Sequence, residues 1–573
     1  MVNLTINGKS ISVKEGTTIL EAAELVGVKV PHLCFLKGVN EIGACRACVV
    51  EVEGMDDLAT ACNTVCSEGM VVKTNSAKAT QARRTNVSLI LADHDCKCAT
   101  CPRSGNCALQ EIANDLGILC TGFASTVDER PWDDEGPLVR NNAKCIKCMR
   151  CIQICDKVQG MHVWDLVGTG ARTTVGVAGN VDINATKCTF CGQCITHCPV
   201  GALSERNDLD KVYAALNDPE VVTMVQIAPA VRTAWGEGIG LAKEDCTMGK
   251  MVDALKRIGF DYVYDTVYSA DMTIMEEGSE FVERFTHRDD YKWPMFTSCC
   301  PGWVRFMKHE YPQYLDNMSS AKSPQQIFGA LAKTYVADKI GADPKKVFFL
   351  SIMPCTAKKY ECSVEEVNDA GAGRDVDAVI TTRELDRLIR ADRIMVETLE
   401  DKPFDNWFGE GTGAGVIFGA TGGVMEAALR SAYFLITKKN PPVDAFKQVR
   451  GMDGWKEAVF DVEGTPVKIA VASGLANTRR LMEAIDAGEV DYDFVEIMAC
   501  PGGCSGGGGQ PIEDGSELAE VRGQILYGLD EINDLRFSHE NPTVLMTYEE
   551  YLEAPGAHLA HELLHTDQEK WGL

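Results

Sequence analysis

The chain has 573 residues, 45% hydrophobic and 24% charged, an ordinary globular mix that excludes a disordered or fibrous chain. Lys and Arg number 56 against 83 Asp and Glu, and the resulting charge of −27 argues against nucleic acid or an anionic membrane surface as partner. No run approaches the roughly 18 apolar residues needed to cross a bilayer, and the N-terminus MVNLTINGKS has no basic-then-apolar export pattern.

The 25 cysteines are the strongest signal, with nineteen at or before Cys246 and six after it. Many sit in tight C-x-x-C groups, which in a chain without an export signal point to metal rather than disulfides. Reduced, cluster-binding thiols also point to the cytoplasm. The expected fold class is multidomain, α+β and α/β, with three cysteine-rich segments ahead of one large α/β region.

In residues 1–78, alternating apolar residues from Val2 to Val13 flank Asn7-Gly8 and predict a hairpin, and Thr17 to Val26 predicts an amphipathic helix. Cys34, Cys45, Cys48 and Cys62 follow. Four thiolates from loops around a small sheet suit a 2Fe–2S cluster in a β-grasp, ferredoxin-like domain, with spacing that varies the plant type. A structural zinc site is the alternative. Cys66 is left over as a plain thiol.

Residues 79–125 carry His94, Cys98, Cys101 and Cys107, with Cys96 competing with Cys98. One imidazole and three thiolates hold either zinc or a 4Fe–4S cluster, and cluster motifs on both sides favour iron. Residues 126–209 are more specific. Cys145, Cys148, Cys151 and Cys155 are echoed by Cys188, Cys191, Cys194 and Cys198, the last followed by Pro199. That doubled run is the two-cluster ferredoxin signature, in which the fourth cysteine of each run ligates the other cluster. One cluster therefore takes Cys145, Cys148, Cys151 and Cys198, and the second takes Cys188, Cys191, Cys194 and Cys155. Asp156 departs from the pattern, which prefers Pro. Four such clusters in series make a wire for electrons that something beyond them must use.

In residues 210–573, four short apolar stretches predict buried strands: 221–228, 293–298, 347–353 and 494–498. Just beyond them come Pro229, Cys299-Cys300, Pro354-Cys355 and Cys500. Open α/β sheets place their chemistry at the carboxyl ends of strands, which gathers these cysteines into one buried site. Cys504 lies four residues on, inside a glycine run that either lets backbone approach a bulky cofactor or serves as a linker.

Three further strings accompany these cysteines: Thr297-Ser-Cys-Cys-Pro-Gly-Trp303, Met353-Pro-Cys-Thr-Ala-Lys358 and Met498-Ala-Cys-Pro-Gly-Gly-Cys504. With them the chain closely resembles the FeFe-hydrogenases, over nearly its whole length, in the clostridial type with four accessory clusters. The resemblance implies an H-cluster: a 4Fe–4S cubane on Cys300, Cys355, Cys500 and Cys504. Cys504 would bridge to a diiron subsite carrying carbon monoxide, cyanide and azadithiolate. It implies that Cys299 passes protons to that bridge and that Lys358 hydrogen-bonds a cyanide. Met353, Met498, Pro229 and Phe418 would line the pocket, and Ala230 stands where the family often has Ser. Glu277, Glu280 and Arg284 fall at i, i+3 and i+7 of a predicted helix over 270–285. By spacing alone they form a solvated salt-bridged face. The resemblance instead aligns them, with Cys299 and Ser319, with a proton relay.

The implied reaction is 2 H⁺ + 2 e⁻ ⇌ H₂. Its couple lies roughly 0.4 V below standard at neutral pH, given ~59 mV per pH unit, and ferredoxin-type clusters reach about −400 mV. Electrons would come from or go to ferredoxin or a similar carrier. The alternative is a catalytic subunit of an NAD(P)-linked or electron-bifurcating complex, in which another subunit binds flavin or nicotinamide. Maturation proteins are implied as well. His561-Glu-Leu-Leu-His565 fits a zinc-protease string but reads as a terminal amphipathic helix. Gly409-x-Gly411-x-x-Ala414 fits a dinucleotide fingerprint only loosely. Cys120, Cys246 and Cys362 read as isolated thiols.

Overall fold

The computed structural model describes residues 1–133, 135–406, 408 and 411–571. Val2–Ile6 and Lys9–Val13 pair antiparallel across Asn7 and Gly8, whose φ values of 50° and 83° are the left-handed ones this tight turn requires. The helix Ile19–Leu25 starts at Thr18, which forms a reciprocal capping box with Glu21. A five-stranded sheet follows the order Lys9–Val13, Val2–Ile6, Val71–Lys73, Val49–Val52, Ala59–Thr60. Leu4, Ile6, Leu20, Val50 and Val72 give it a core of its own, which also takes in Cys48 and Cys62.

The next two segments share one core with the large region. Leu109, Ile152, Phe190 and Val200 pack in the same cluster as Trp303, Phe306, Leu475 and Ile497. The doubled motif is repeated in the backbone. Each half carries a short helix, Arg150–Gln153 or Gln193–Thr196, entered through a left-handed residue, Met149 or Gly192.

The large region holds two sheets, not the single one that pooled carboxyl ends suggest. Tyr262–Asp265, Val222–Ile227, Val347–Met353 and Ala378–Thr381 are all parallel. Met295–Phe296, Phe494–Met498 and Thr465–Ser473 are parallel too, with Trp455–Val462 antiparallel at the edge. The strand expected over 293–298 shrinks to two residues. The N–H of Ser298 turns away from the sheet and donates to Glu277 at 3.3 Å, so pairing stops where the chain enters the site.

The helix Thr266–Thr286 is buried along most of its length, packed against Pro324–Leu331 and Gly423–Thr437. It is capped by Asp265, one turn earlier than the sequence suggests. No helix among the described residues is long and apolar enough to cross a membrane. Gly423–Thr437 carries Arg430, fully buried, 2.7 Å from Glu426 and 2.9 Å from Asp530. Arg450 and Arg536 complete the network. Burial would raise the Asp530 carboxyl, but Arg430 and Arg536 hold it down at about 2. Arg430→Ala leaves buried carboxylates short of a counter-charge. It should cost about 3–5 kcal/mol of stability, read as an earlier anaerobic thermal midpoint beside the unaltered chain.

Candidate active site

The carboxyl ends of both sheets meet. Val347–Met353 runs into Cys355, Phe494–Met498 into Cys500, and Met295–Phe296 into Cys299 and Cys300, where Cys300 caps the helix Pro301–Glu310. Cys504 sits in the turn Gly503–Gly506. Cys300, Cys355, Cys500 and Cys504 face one another. Burial, then the neighbouring Cys300, pushes the Cys355 thiol up to about 12. Burial, then Cys191, Cys355, Cys300 and Cys504, raises Cys500 well above the usual thiol range. Cys504 is raised by burial and by Cys355 and Cys300, with Lys358 opposing. Four thiols packed out of water with so little positive charge about them make a donor set that suits a bulky cationic cluster.

The glycine run is a packed seam, not a linker. A Cβ at Gly507 would lie 2.1 Å from Pro354 O, and one at Gly508 would lie 2.3 Å from Cys191 O. Met353, Met498, Phe418, Pro229 and Ala230 are all buried around this centre. Phe418 and Met498 share a core with Cys299.

Lys358 donates to Cys299 O at 3.1 Å and pairs with Glu361 at 2.8 Å. Burial would lower its ammonium, but Glu361 holds it above the ordinary lysine range. Cys299 is raised far up by burial and by Glu277, so it stays a neutral thiol. The Glu277 carboxyl is fully buried and pushed up to about 8, by burial first and then by Glu280. Its Oε2 is buried and has no hydrogen-bond partner. Ser319 Oγ donates to Glu280 at 2.7 Å, and Arg284 pairs with Glu280 at 2.5 Å. The face that spacing alone would leave in water is thus enclosed: Arg284 and Glu280 side chains are 9% and 14% exposed.

Cysteines of the two runs lie against one another. Cys145, Cys148, Cys151 and Cys198 line one small cavity. Cys155 lies near Cys191, while Cys194 is crowded by Cys191, Cys188, Cys151 and Cys155. Cys500 Sγ lies 3.8 Å from Cys191 O, and Gln193 donates to Gly506 O at 2.8 Å, so this group abuts the buried centre. In the first segment Cys34 meets Cys45, and Cys48 meets Cys62, with all four in mutual electrostatic reach. The second segment is looser. Cys101 neighbours Cys107, Cys98 is exposed, and His94 is buried with Nδ1 unpartnered. Cys96 is exposed, with Sγ 3.5 Å from His94 O. Among the described residues no three His, Cys, Asp or Glu side chains close round a single ion.

A plain series of four groups does not match this geometry. Asn40, fully buried, donates to Cys34 O at 2.7 Å and to Cys148 O at 2.9 Å, joining the first segment to the Cys145 group. The second segment reaches the same group. Arg103 donates to Cys198 O at 3.0 Å, and a Cβ at Gly201 would strike Cys101 Sγ. The two outer segments converge; they do not queue.

The zinc-protease string is not a metal pair. His565 lies past the end of the helix His558–Leu564 and bonds to Ser320 and Glu276 instead. Gly409, in the loose dinucleotide string, lies outside the described residues. Sequence reasoning missed Asn40, Ser320, Glu361 and His565. Only Glu361 left a trace, three residues after Lys358.

Comparison with known proteins assigns these parts. The family model "Iron only hydrogenase large subunit, C-terminal domain" matches residues 221–508, and "Iron hydrogenase small subunit" matches 516–569. A 2Fe–2S cluster-binding domain matches 1–77, an iron–sulfur region of NADH-ubiquinone oxidoreductase G matches 83–119, and a 4Fe–4S dicluster domain matches 144–202. The NADP-reducing hydrogenase subunit HndD of Solidesulfovibrio fructosivorans is 46% identical over 99% of this chain and 98% of its own. Iron hydrogenase 1 of Clostridium pasteurianum is 41% identical over the full length of both. The solved [FeFe]-hydrogenase HydA1 of Chlamydomonas reinhardtii is 43% identical with a TM-score of 0.56, covering 62% of this chain and 98% of that one.

Proposed function

Because the chain belongs to the iron-only hydrogenases, we propose that Cys300, Cys355, Cys500 and Cys504 would hold an H-cluster. The four mutually facing, buried thiols carry this reading. When bound, that group supplies the iron chemistry that makes or splits hydrogen. The chain's own residues supply protons, electrons and a dry pocket. Met353, Met498, Pro229, Phe418 and Ala230 exclude water around the subsite. Lys358, fixed by Glu361, presents a cation to it.

Cys299 holds the proton nearest the reacting centre. In hydrogen evolution its thiol gives that proton inward and is refilled by the neutral Glu277 carboxyl. Ser319 and Glu280 then restore Glu277 from the outer end of the relay, with Arg284 holding Glu280 in place. Hydrogen oxidation runs the same transfers outward. A carboxyl near 8 suits this task, since a proton carrier works best close to the working pH.

The remaining ligands are proposed as one 2Fe–2S cluster on Cys34, Cys45, Cys48 and Cys62, and 4Fe–4S clusters on three sets. The sets are His94, Cys98, Cys101 and Cys107; Cys145, Cys148, Cys151 and Cys198; and Cys155, Cys188, Cys191 and Cys194. The division into four parts at 78, 125 and 209 is likewise proposed. The electron partner is a ferredoxin or similar carrier, in the cytoplasm. A second reading, a catalytic subunit working with NAD(P)- and flavin-binding subunits, is favoured by the near full-length match to a subunit named NADP-reducing. Anaerobically matured protein should evolve hydrogen from reduced methyl viologen. Iron-replete protein that evolves none would overturn the reading.

A further inference from the structure

Glu280 is the outer carboxylate of the relay, and the group covering it cannot refill it. Arg284 pairs with it at 2.5 Å, and a guanidinium does not release its proton at working pH. Another titratable group, His565, is joined to Glu280 through Ser320. His565 lies at the floor of an acidic surface cleft lined by Asp316, Glu366, Glu562, Asp567 and Glu569, with its side chain 5% exposed.

Both imidazole nitrogens of His565 are engaged. Nε2 lies 3.0 Å from Glu276 Oε2, and Nδ1 lies 2.8 Å from Ser320 Oγ. Glu276 is buried and also accepts from the Tyr548 hydroxyl at 2.5 Å and the Gly556 N–H at 2.8 Å. As an acceptor it fixes the proton on Nε2 and leaves Nδ1 to Ser320. Ser320 donates its backbone N–H to both Glu280 oxygens, at 3.1 and 3.3 Å. One residue therefore meets His565 with its hydroxyl and Glu280 with its backbone.

The other charged groups here are accounted for. Lys322 pairs with Asp369 at 2.5 Å, Lys570 with Asp567 at 3.0 Å, and the His561 ring stacks on His565 at 4.8 Å. Lys308 donates to the carbonyl oxygens of Gln568 and Trp571.

We infer that His565 and Ser320 form a second proton entrance to Glu280, fed from the acidic cleft and separate from the route past Arg284. The inference rests on the relay proposed above. The imidazolium Nδ1–H passes its proton to Ser320 Oγ as the Ser320 O–H swings to Glu280 and gives its own proton to the carboxylate. The imidazole is left neutral, with Nε2–H on Glu276. With the Ser320 O–H turned to Glu280, Nδ1 is free, and water in the cleft that Ser320 and His565 both line restores its proton. One proton moves from cleft water to Glu280, no electron moves, and hydrogen oxidation reverses the order. The hydroxyl swing is a single rotamer change, fast on the picosecond-to-nanosecond scale.

The test uses the full, matured chain as His565→Gln, Ser320→Ala and the double variant, beside Cys299→Ser. Glutamine still donates to Glu276 but cannot take charge, and alanine at 320 keeps the N–H to Glu280. Hydrogen evolution from reduced methyl viologen is followed between about pH 5 and 8, where histidines change charge, in H₂O and D₂O.

Each single variant should slow turnover about three- to tenfold and flatten the pH profile. The KM for viologen should not change, and the double variant should be no slower than the slower single. An unchanged profile in both singles, or losses that multiply in the double, overturns the second entrance. If His565→Gln fails to take up iron, Ser320→Ala decides alone. Full activity in Cys299→Ser would sink the relay itself; a dead Cys299→Ser beside normal His565→Gln and Ser320→Ala variants would sink only this entrance.

Discussion

Cys299→Ser should lower hydrogen turnover about 10²–10⁴-fold while leaving the iron content unchanged. The thiol is not among the four that face one another, so replacing it removes no proposed cluster ligand. It sits between that group and Glu277, and burial together with Glu277 keeps it protonated. Serine fills nearly the same space, but an alcohol gives up its proton far less readily than a thiol. The loss should therefore fall on turnover in both directions, with the reduction of the accessory clusters by dithionite unaffected. A variant as active as the original would remove Cys299 from the path and leave Glu277 with no one to serve.

The second large effect is expected at Glu277, where catalysis and stability should move in opposite directions. Its carboxyl titrates near 8 in the folded chain, against about 4.3 when unfolded. Between those values the folded protein keeps a proton that the unfolded chain has released. Stability is accordingly highest below the lower value and falls as pH rises through the window, reaching its floor above about 8. The residue is fully buried, so the penalty is on the order of a few kcal/mol. Glu277→Gln is neutral at every pH and escapes it. The variant should unfold later than the original at pH 8–9, show little difference near pH 4, and lose turnover by about 10²–10⁴-fold. The unaltered enzyme should itself lose turnover above about pH 8, as the relay's inner carboxyl empties. A Glu277→Gln midpoint that tracks the original at every pH would refute the buried-proton account.

Much of this was legible in the sequence because cysteine spacing is local. The doubled run around Cys145 and Cys188 states its own crossed pairing, and the cavity shared by Cys145, Cys148, Cys151 and Cys198 follows it. Strands 347–353 and 494–498 were marked by largely apolar runs, each broken by one polar residue, Ser351 or Glu496, and each ends two residues before a cysteine. The sheet partition was not legible, because two-residue pairing at Met295–Phe296 and four-residue strands such as Ala378–Thr381 leave too little pattern. Nor was the burial of Glu277, whose i, i+3 and i+7 spacing with Glu280 and Arg284 reads equally as a wet face. Its helix is covered by Pro324–Leu331 and Gly423–Thr437, which lie tens of residues or more further along the chain. His565 was hidden for the same reason, since its partners Glu276 and Ser320 lie 289 and 245 residues distant.

Asn40 carries a last consequence, one of failure rather than of flow. In a single file of redox centres, damage to any member strands the catalytic end. Here two outer segments meet at the group containing Cys148 and Cys198, so with the proposed clusters in place a lesion in either tributary would leave the other running. A lesion at the confluence silences both. On the proposed ligand sets, oxidative wear on the exposed Cys98 would then be survivable, whereas the Cys145 set would have no understudy, and the fold keeps Cys148, Cys151 and Cys198 below a tenth exposed.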